Sequence, residues 1–496
     1  MAEEQQEALT IDSLVSTIAR DPEDTDQRAH AVQLVSQLVQ QILQKRVDPE
    51  KADKTSVVAA LEETIGELDK LLGAQLDLIL HEESFQKLEK SWRGLHYLVK
   101  NTETSTRLKL RLLDCTQQEI DKDLEKAIDK DQSVLFKKVY EEEYGIYGGH
   151  PFSALLGDFY FGETEKDLKM LKRISEVAAA AHAPFISGTS PKLFDMDSFT
   201  ELGLPRDLAK IFESKQSKWI TWKNFRDDED SRYIALALPG FMLRQPYGAE
   251  TEPVEGFEYE ETVRNGEPHH NRYLWGNAAW AMAERITNAF ALFSWTGAIR
   301  GVEGGGLVEN LPIHTFKTDG GDDVMVGPTE IGITDRREKE LDGLGFIGFC
   351  AAKGDNKATF FGGATVQKPK KYDLDAANAN ARLSAVLPYM LAASRFAHYL
   401  KVIVRDKVGS FLTAENVQLF LNRWIGNYVL GKDDAGQSLK AQFPLREARV
   451  DVAEVPGKPG VYTAVAYLRP HFQLEELTTS IRLVAELPPP GTGFAE

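Results

Sequence analysis

Residues 153–189, SALLGDFYFGETEKDLKMLKRISEVAAAAHAPFISGT, contain the alternation that decides the fold class. The runs SALLGDFYF and APFISG have the apolar and aromatic character of short β-strands. Between them, TEKDLKMLKRISEVAAAA has helical periodicity, and a third strand-like run, RYIALALPG, comes later in the chain. Strand–helix–strand alternation of this kind predicts an α/β domain, which we place at residues 101–373.

The first 100 residues are predicted to form a helical region. Apolar residues recur at helical spacing in four segments, which start near residues 11, 35, 55 and 85. Asp21-Pro22 ends the first segment and Asp48-Pro49 the second. The fourth, FQKLEKSWRGLHYLV, places five apolar residues on one face: Phe85, Leu88, Trp92, Leu95 and Val99.

Beyond residue 105 the period of the pattern changes. TRLKLRLLD, Thr106–Asp114, alternates polar and apolar residues, which predicts a strand with one face in solvent. Glu252–Glu267 is predicted to be a long, irregular acidic loop. The apolar run LWGNAAWAMAERITNAFALFSW that follows predicts a buried helix.

Residues 374–496 form the third predicted part of the chain. It begins with helical patterns, ANARLSAVLPYMLAASRFAHYLKVIVRDKVGS and TAENVQLFLNRWIGNYVL. Two strands follow, LREARVDVAEV and VYTAVAYLRP, joined by the turn residues PGKPG, which predicts a β-hairpin. A last strand is predicted at Thr479–Leu487, directly before three prolines. The fold class expected for the whole chain is mixed α/β.

Composition excludes several classes of protein. A formal net charge of −18 argues against a nucleic-acid binder, because such a protein needs a basic surface to displace counterions. Cys115 and Cys350 lie far apart without a C-x-x-C motif, so neither a disulfide framework nor a zinc site is expected. The acidic N-terminus is unlike a secretory signal, and the most apolar runs are too short to span a bilayer. We therefore expect a cytoplasmic protein that does not insert into a membrane.

One motif suggests a dinucleotide site: Gly343, Gly345 and Gly348 fit G-x-G-x-x-G. A fingerprint of this kind needs a strand before the glycines and a helix after them. Here the preceding residues, TDRREKELD, are almost wholly charged, and the following residues predict strand, polar turn and strand. We therefore expect no nucleotide here, and interpret the glycines as thinning a strand for close backbone packing.

Two further features keep an enzyme open as the alternative. The glycine-rich stretch Gly301–Gly306 resembles a phosphate cradle, but the residues after it supply neither the Lys nor the Ser/Thr of a P-loop. His269 and His270 are adjacent in a polar loop, where a metal site is one interpretation and a solvated loop the other. The alternative function is therefore a soluble cytoplasmic enzyme that uses a nucleotide or a metal through these residues.

Several segments together resemble the large subunit of the type VI secretion contractile sheath, the TssC/VipB/EvpB family. They are FQKLEKSWRGLHYLV, LWGNAAWAMAERI, the run from Arg300 to Pro312, TDRREKELDGLGFIGF, ARLSAVLPYMLAASRFAHYLK, LNRWIGNYV and FQLEELTTSIRLVAELP. They occur in the family's order and cover the chain from about residue 60 to its end. The G-x-G-x-x-G lies inside one of them, in agreement with the argument from its flanks.

The resemblance implies a structural protein without an active site or cofactor. Its family pairs with a small sheath subunit of the TssB/VipA type and polymerises as a helical sheath around a tube of Hcp-type rings. Contraction of the sheath, which is attached to a baseplate, drives tube and spike out of the bacterial cell. A ClpV-type AAA+ ATPase then disassembles it. The C-terminal part is similar to contractile phage tail sheaths.

The resemblance also implies roles for particular residues. The N-terminal helix is the expected ATPase-binding element, through Ile11, Leu14, Val15 and Ile18, although such a stripe can equally pack on its own domain. The terminal strand is expected to pair with another subunit, rather than within its own sheet, through Ile481, Leu483, Val484 and Ala485. Asp433 and Asp434 are candidates to face the tube, with a solvated turn as the alternative.

Overall fold

The structure is a computed structural model, and it confirms the predicted mixed α/β fold. It describes residues 54–471 except 215, 266, 319, 409–412, 433 and 458–461, and also the helical residues 29, 30, 32–34, 36, 37 and 40. From residue 54 onwards the helices are α1 Lys54–Leu80, α2 Glu83–Lys100, α3 Gln117–Lys126, α4 Val134–Phe136, α5 Glu165–Ala181, α6 Leu208–Glu213, α7 Ser217–Asp227, α8 Ala278–Phe293, α9 Asp335–Gly343, α10 Asp375–Leu383, α11 Leu387–Lys407, α12 Ala414–Gly426 and α13 Gln437–Gln442. A π-helical stretch, Lys137–Tyr144, continues α4.

The strands are β1 Leu155–Phe161, β2 Phe185–Thr189, β3 Ile234–Leu238, β4 Phe241–Met242, β5 Arg264–Asn265, β6 Glu267–Pro268, β7 Trp275–Gly276, β8 Leu307–Val308, β9 His314–Lys317, β10 Asp323–Val326, β11 Ile347–Ala351, β12 Ala358–Phe360, β13 Leu445–Glu454 and β14 Tyr462–Pro470. The three strands predicted around residues 153–240 are therefore confirmed as β1, β2 and β3. The strand, turn and strand predicted after Gly348 are confirmed as the antiparallel pair β11 and β12.

A six-stranded sheet lies at the centre, in the order β1-β2-β3-β11-β12-β8. The strands β1, β2, β3 and β11 are parallel, and β12 and β8 extend the sheet antiparallel. Parallel strands that are covered on both faces are apolar along their whole length. In agreement, every residue of β2 and β3 is buried.

The two faces of this sheet contribute to different hydrophobic clusters. Ile234, Leu236 and Leu238 of β3 belong to the cluster that includes the buried side of α5. Ala235 and Ala237 of the same strand belong to the cluster that includes α8. The period-2 alternation of the strand therefore divides its side chains between two helical layers.

Local signals fix the ends of α5. Thr164 is its N-cap and accepts a hydrogen bond from the backbone N–H of Asp167, and His182 ends the helix in the left-handed conformation with φ of 49°. Such caps satisfy backbone groups that the helix itself leaves unpaired. The face between them is apolar and buried through Leu168, Met170, Leu171, Ile174, Val177, Ala178 and Ala181.

A glycine lets α2 lie directly on α8. A Cβ atom added at Gly94 would lie 2.5 Å from Cδ1 of the Trp280 indole, closer than side chains approach. Trp280 Nε1 donates to Asp158 of β1 at 3.1 Å, which holds the ring in place. The side of α2 that is buried therefore contains Gln86, Gly94 and Leu98. The apolar face predicted for this helix is a different side.

The C-terminal part packs on a third cluster. Leu387 and Leu391, at the start of α11, belong to the cluster of α8, whereas Phe396 of the same helix belongs to the third cluster with Leu421 of α12. Trp295, just after α8, stacks on Phe396 with ring centroids 4.5 Å apart. The predicted hairpin is confirmed as β13 and β14, which pair antiparallel along their length.

The predicted strand at Thr106–Asp114 is wrong. This segment forms no ladder with any described residue. Leu108 and Leu110 are half-buried, but Leu112 and Leu113 are 67% and 48% exposed. Alternation of polar and apolar residues reports how side chains are buried, and a strand also needs a neighbouring backbone to pair with.

Candidate functional site

The G-x-G-x-x-G motif has the wrong elements around it for a nucleotide. Helix α9 ends at Gly343, Gly345 has φ of 87°, and strand β11 begins at Ile347. The order is therefore helix, glycine, strand, so no helix N-terminus points towards a ligand. The close backbone approach is at Gly345, where a Cβ would lie 2.9 Å from the Thr365 carbonyl oxygen. Gly348, inside the strand, has only ordinary neighbours at 3.6 Å or more, so the thinned-strand interpretation was wrong in position.

The stretch Gly301–Gly306 is a tight turn that packs on β12. The N–H of Gly301 donates to the carbonyl of Phe360, and the N–H of Gly306 donates to the carbonyl of Gly301. A Cβ at Gly306 would lie 2.6 Å from the Phe360 oxygen. Because these N–H groups bond within the protein, they are not presented to a phosphate.

Of the two adjacent histidines, one is exposed to solvent and the other contacts side chains of the protein. His269 is exposed, whereas His270 stacks on Trp275 with centroids 5.2 Å apart and contacts Glu330 Oε2 at 3.3 Å. Within the described ranges, no three His, Cys, Asp or Glu side chains come together as metal ligands would. The geometry of this pair therefore favours the loop interpretation over a metal site.

Glu338 and Asp342 form a carboxylate pair on α9 near the glycine motif, and the pKa of Glu338 is strongly shifted. Asp342 Oδ1 accepts hydrogen bonds from the N–H groups of Gly363 and Ala364, at 3.0 and 3.1 Å. Burial, and then the charge of Asp342, raise the pKa of Glu338 to about 7. Burial also raises the pKa of the nearby Cys350 thiol to about 12, so that thiol is protonated and unreactive at neutral pH. The pair has a base of suitable pKa, but the nearby Cys350 thiol is protonated and is no activated nucleophile.

A buried ion network joins the N-terminal helices to the middle of the chain. Arg244 donates to both carboxylate oxygens of Glu261, at 2.5 and 3.2 Å, and to Glu89 Oε1 of α2 at 2.7 Å. His81, between α1 and α2, contacts Glu261 at 3.2 Å, and the backbone N–H of Tyr247 donates to the same carboxylate at 3.0 Å. Arg244 and Glu261 are both only 5% exposed.

The charges of this network are fixed rather than reactive. Burial alone would raise the pKa of Glu261, but hydrogen bonds from His81 and Arg244, the Arg244 charge and the Tyr247 N–H lower it to about 2. Burial opposes the charge of Arg244, yet Glu261 and Glu89 raise its pKa above the ordinary value. A carboxylate held so strongly in its charged form is a poor base. The network is therefore a structural joint.

A second joint holds α11 against the middle of the chain. His398 Nε2 donates to the carbonyl of Ala181 at 2.8 Å, and His182 Nδ1 lies 3.0 Å from the Tyr233 hydroxyl. Burial lowers the pKa of His398 to about 4, so it is neutral at physiological pH. Lys401 lies 3.5 Å from the centroid of the Tyr144 ring. These contacts lie at the end of α5 and along α11.

The outer side of α1 and α2 is apolar and exposed. On α2, Phe85, Leu88, Trp92 and Val99 are 36%, 57%, 62% and 51% exposed, although Leu95 is half-buried. On α1, the exposed large apolar residues are Ile65, Leu68, Leu71, Leu72, Leu78 and Ile79. We call these two sets together the outer apolar face. Large exposed apolar side chains concentrated on two consecutive helices are typical of a site of protein association.

The outer edge of the hairpin β13–β14 is covered on β13, where the N–H groups of Val450 and Val452 donate to Asn422 and Gln418 of α12, and is open to a further strand on β14. It is a two-stranded sheet, and neither strand pairs with a further described strand. Tyr462, Val465 and Tyr467 on β14 are 37%, 47% and 53% exposed. An open edge with apolar side chains is a template for an additional strand.

Most of the residues proposed from the family resemblance lie outside the described residues. These are Ile11, Leu14, Val15 and Ile18, the strand residues Ile481, Leu483, Val484 and Ala485, and Asp433. Asp434 is described, and it is exposed in the turn between α12 and α13. The sequence does not predict the ion network of Arg244, Glu261 and Glu89, because Glu89 lies 155 residues from Arg244 in the chain.

The buried ion network and the His398 contacts join elements of the chain, while α1 and α2 expose large apolar side chains, which indicates a protein that associates with others. The chain belongs to the EvpB/VC_A0108 tail sheath family. Residues 62–367 match the model of the family's tail sheath N-terminal domain, and residues 376–487 match that of its tail sheath gpW/gp25-like domain. The type VI secretion system sheath protein TssC1 of Pseudomonas aeruginosa is 49% identical over 434 residues, 87% of this chain and 86% of that protein.

Two solved assemblies show weaker likeness. A chain of the anti-feeding prophage baseplate covers 76% of this chain and 83% of its own length, at 11% identity and a TM-score of 0.37. A chain of the contracted PVC sheath of an extracellular contractile injection system covers 63% and 68%, at 9% identity and a TM-score of 0.34. Scores below 0.5 are too low to establish a shared fold. None of the helices in the described ranges combines the length and apolar character of a membrane span.

Proposed function

We propose that this chain is the large subunit of a type VI secretion contractile sheath. It pairs with a small sheath subunit of the TssB/VipA type and polymerises around an Hcp-type tube. The sheath contracts to propel tube and spike, and a ClpV-type AAA+ ATPase disassembles it. Family membership and the 49% identity to a sheath protein support this proposal. The observation in the structure that carries it is the outer apolar face.

The size of that face explains why a partner is needed. Fully burying one large apolar side chain contributes roughly 1.5–3 kcal/mol. On α2 alone, Leu88, Trp92 and Val99 are each more than half exposed, so covering them supplies several kcal/mol towards association. The small subunit is the partner that the family provides.

The terminal strand is proposed to link subunits along the sheath. Ile481, Leu483, Val484 and Ala485 would join the sheet of a neighbouring subunit, because strand addition satisfies main-chain groups while alternate side chains fill pockets. The edge of β14, which pairs with no described strand other than β13, is a site of the required kind. Truncation before Thr479 tests the proposal: a chain that folds with the small subunit but forms no sheath supports it, and normal contractile sheath contradicts it.

Two other contacts are proposed from the family. The helix with Ile11, Leu14, Val15 and Ile18 is the ATPase-binding element, so Leu14→Asp/Ile18→Asp should preserve assembly and contraction but block disassembly. Asp433 and Asp434 face the tube; the exposure of Asp434 is compatible with this. Sheath assembly by Asp433→Lys/Asp434→Lys that is normal at every salt concentration would contradict the second contact.

We place the protein in the cytoplasm, where the sheath assembles from a baseplate. We also divide the chain at residues 100 and 373 into a helical N-terminal region, an α/β middle domain and a tail-sheath-like C-terminal domain. The separate spans of the two family models support the second boundary.

Co-expression with the small sheath subunit tests the proposed function. The wild-type chain should elute as a very large complex and form tubular sheath in electron micrographs. Leu88→Asp/Trp92→Asp should remain folded but fail to assemble, because two buried charges would oppose association. The matched control is Gln118→Asp/Asn224→Asp, which adds the same charges at exposed polar positions of α3 and α7. Wild-type assembly by the first variant, or a discrete wild-type oligomer with bound nucleotide, would contradict the proposal.

A further inference from the structure

Residues 106–113 alternate polar and apolar side chains as a β-strand does, but no described strand pairs with them. The backbone N–H groups from Lys109 to Asp114 have no hydrogen-bond acceptor among the described residues. Before them, Ser105 donates to the carbonyl of Leu108, and its hydroxyl accepts from the N–H groups of Arg107 and Leu108. The segment is therefore anchored at its start, and its remaining main-chain groups are open to another backbone.

The side chains of this segment alternate in charge and burial. Leu108 and Leu110 are half-buried, and Leu110 packs against the cluster of α8. Arg107, Lys109 and Arg111 are exposed. Arg107 and Lys109 make no ion pair with a described residue, whereas Arg111 pairs with Glu143 and lies over the Phe152 ring. The exposed side thus presents a row of cations in a chain whose net charge is −18.

A shallow groove of about 570 Å³ lies beside the segment. Its lining combines the apolar Val99, Leu108 and Leu110 with the polar Thr104 and Ser105 and the cationic Lys109 and Arg111. Val99 is also the last residue of the outer apolar face on α2. The groove therefore continues the outer apolar face, which we propose is covered by a partner, and it lies next to unpaired main-chain groups.

We infer that residues 106–113 receive a β-strand from the second polypeptide of the sheath, with acidic side chains at alternate positions of that strand. The inference rests on the proposed function, because it requires a second subunit. Main-chain hydrogen bonds would satisfy the open N–H and C=O groups, and apolar residues of the incoming strand would fill the groove. Its acidic residues would pair with Arg107 and Lys109, because opposite charges on neighbouring strands stabilise a sheet.

Charge also argues against the chain's own terminal strand as the occupant. TSIRLVAEL contains one cation, Arg482, and one anion, Glu486. It therefore has no row of acids to match the row of bases. A strand from another polypeptide is the occupant to which the charges of the segment are complementary.

Hydrogen exchange of the amides of residues 109–113 tests the inference. These amides should exchange rapidly in the isolated chain and at least tenfold more slowly in sheath formed with the small subunit. If they are already protected in the isolated full-length chain, a segment of the chain itself fills the site and the inference is overturned. If sheath forms while the amides stay unprotected, the inference fails and the proposed function stands. If no sheath forms at all, both fail.

Charge reversal gives an independent measurement. Arg107→Glu/Lys109→Glu should reduce the small subunit retained on the tagged chain at least tenfold at low salt. The control, Lys122→Glu/Lys126→Glu, makes the same charge change at exposed positions of the nearby α3 and should retain wild-type amounts. Circular dichroism of both variants should match the wild type, because none of the four side chains is buried. Equal retention by the two variants would overturn the inference.

Discussion

Replacing Arg244 with methionine should loosen α2 from the middle of the chain. The change removes four hydrogen bonds, three to the carboxylates of Glu261 and Glu89 and one to the Gln245 carbonyl, at 2.5 to 3.2 Å. The Glu261 side chain is 1% exposed and that of Glu89 is 11% exposed, so both carboxylates would lose a cation in a site that water hardly reaches. Removing one partner of a buried ion pair costs about 3–5 kcal/mol.

The remaining contacts place the expected cost at the lower end of that range. His81 and the N–H of Tyr247 still contact Glu261, and Arg93 still pairs with Glu89. We therefore expect the free energy of opening of α2 to fall by about 3 kcal/mol, which speeds exchange of its amides about a hundredfold. Native-state hydrogen exchange measures this free energy locally and needs no two-state unfolding of the whole chain.

Arg93→Met is the control for this prediction. Arg93 binds the same carboxylate, Glu89, but its side chain is 34% exposed, so its loss should cost about 1 kcal/mol or less. The double variant Arg244→Met/Glu261→Gln should recover part of the loss, because it removes a charge that would otherwise be buried alone. An Arg244→Met variant whose α2 amides exchange no faster than those of Arg93→Met would refute the reasoning.

The same network predicts how the opening of α2 depends on pH. The pKa of Glu261 is lowered from 4.5 to about 2 in the folded chain. Its contribution to stability is therefore complete above about pH 4.5 and is lost as the pH falls through about 2, with a total of about 3 kcal/mol. In Arg244→Met this dependence should be weaker, since the hydrogen bonds and the charge of Arg244 no longer lower the pKa of Glu261, while the hydrogen bonds from His81 and Tyr247 still do.

Three further predictions concern single side chains. Gly94→Ala should lower the thermal midpoint by several degrees, because its Cβ meets the Trp280 indole; thermal unfolding measures this, and an unchanged midpoint would show that the helices can separate freely. Glu338→Gln should stabilise the chain by about 1 kcal/mol above pH 7 and leave its stability unchanged at pH 4.5. Burial raises the pKa of Glu338 to about 7, so the wild type loses stability as the pH rises through that value. Urea midpoints of both proteins at the two pH values measure the difference. His398→Gln should flatten the fall in stability between pH 6.5 and pH 4, about 2–3 kcal/mol in the wild type, because burial lowers the pKa of His398 to about 4; a parallel fall in both proteins would contradict this.

The central fold was predictable because its strands carry the signal themselves. The buried runs of β1, β2 and β3 are short, apolar and bounded by turns or helices, which is how parallel strands differ from helices in sequence. The hairpin β13–β14 was predictable for the same reason, since its strands flank turn residues. The flank after the G-x-G-x-x-G also predicted the strand, turn and strand that the structure has there.

The errors share one physical cause: a pattern reports burial, not the identity of the neighbour. Residues 106–114 alternate as a strand does, but no described strand lies beside them. The apolar side of α2 was recognised, yet a one-dimensional pattern does not show that Gly94 and Leu98, rather than Trp92, face the rest of the chain. The ion network was missed because Glu89 and Arg244 are 155 residues apart and only folding brings them together.

The stacking of Trp295 on Phe396 has a mechanical consequence. Trp295 follows α8, which packs on the central sheet, and Phe396 belongs to α11. The stacked pair therefore joins the third hydrophobic cluster to the sheet. With 21 residues, α11 is a rod about 31 Å long, and its contacts through His398 and Arg405 brace it along that length. We therefore expect a torque applied to the hairpin to pass through these contacts into the central sheet.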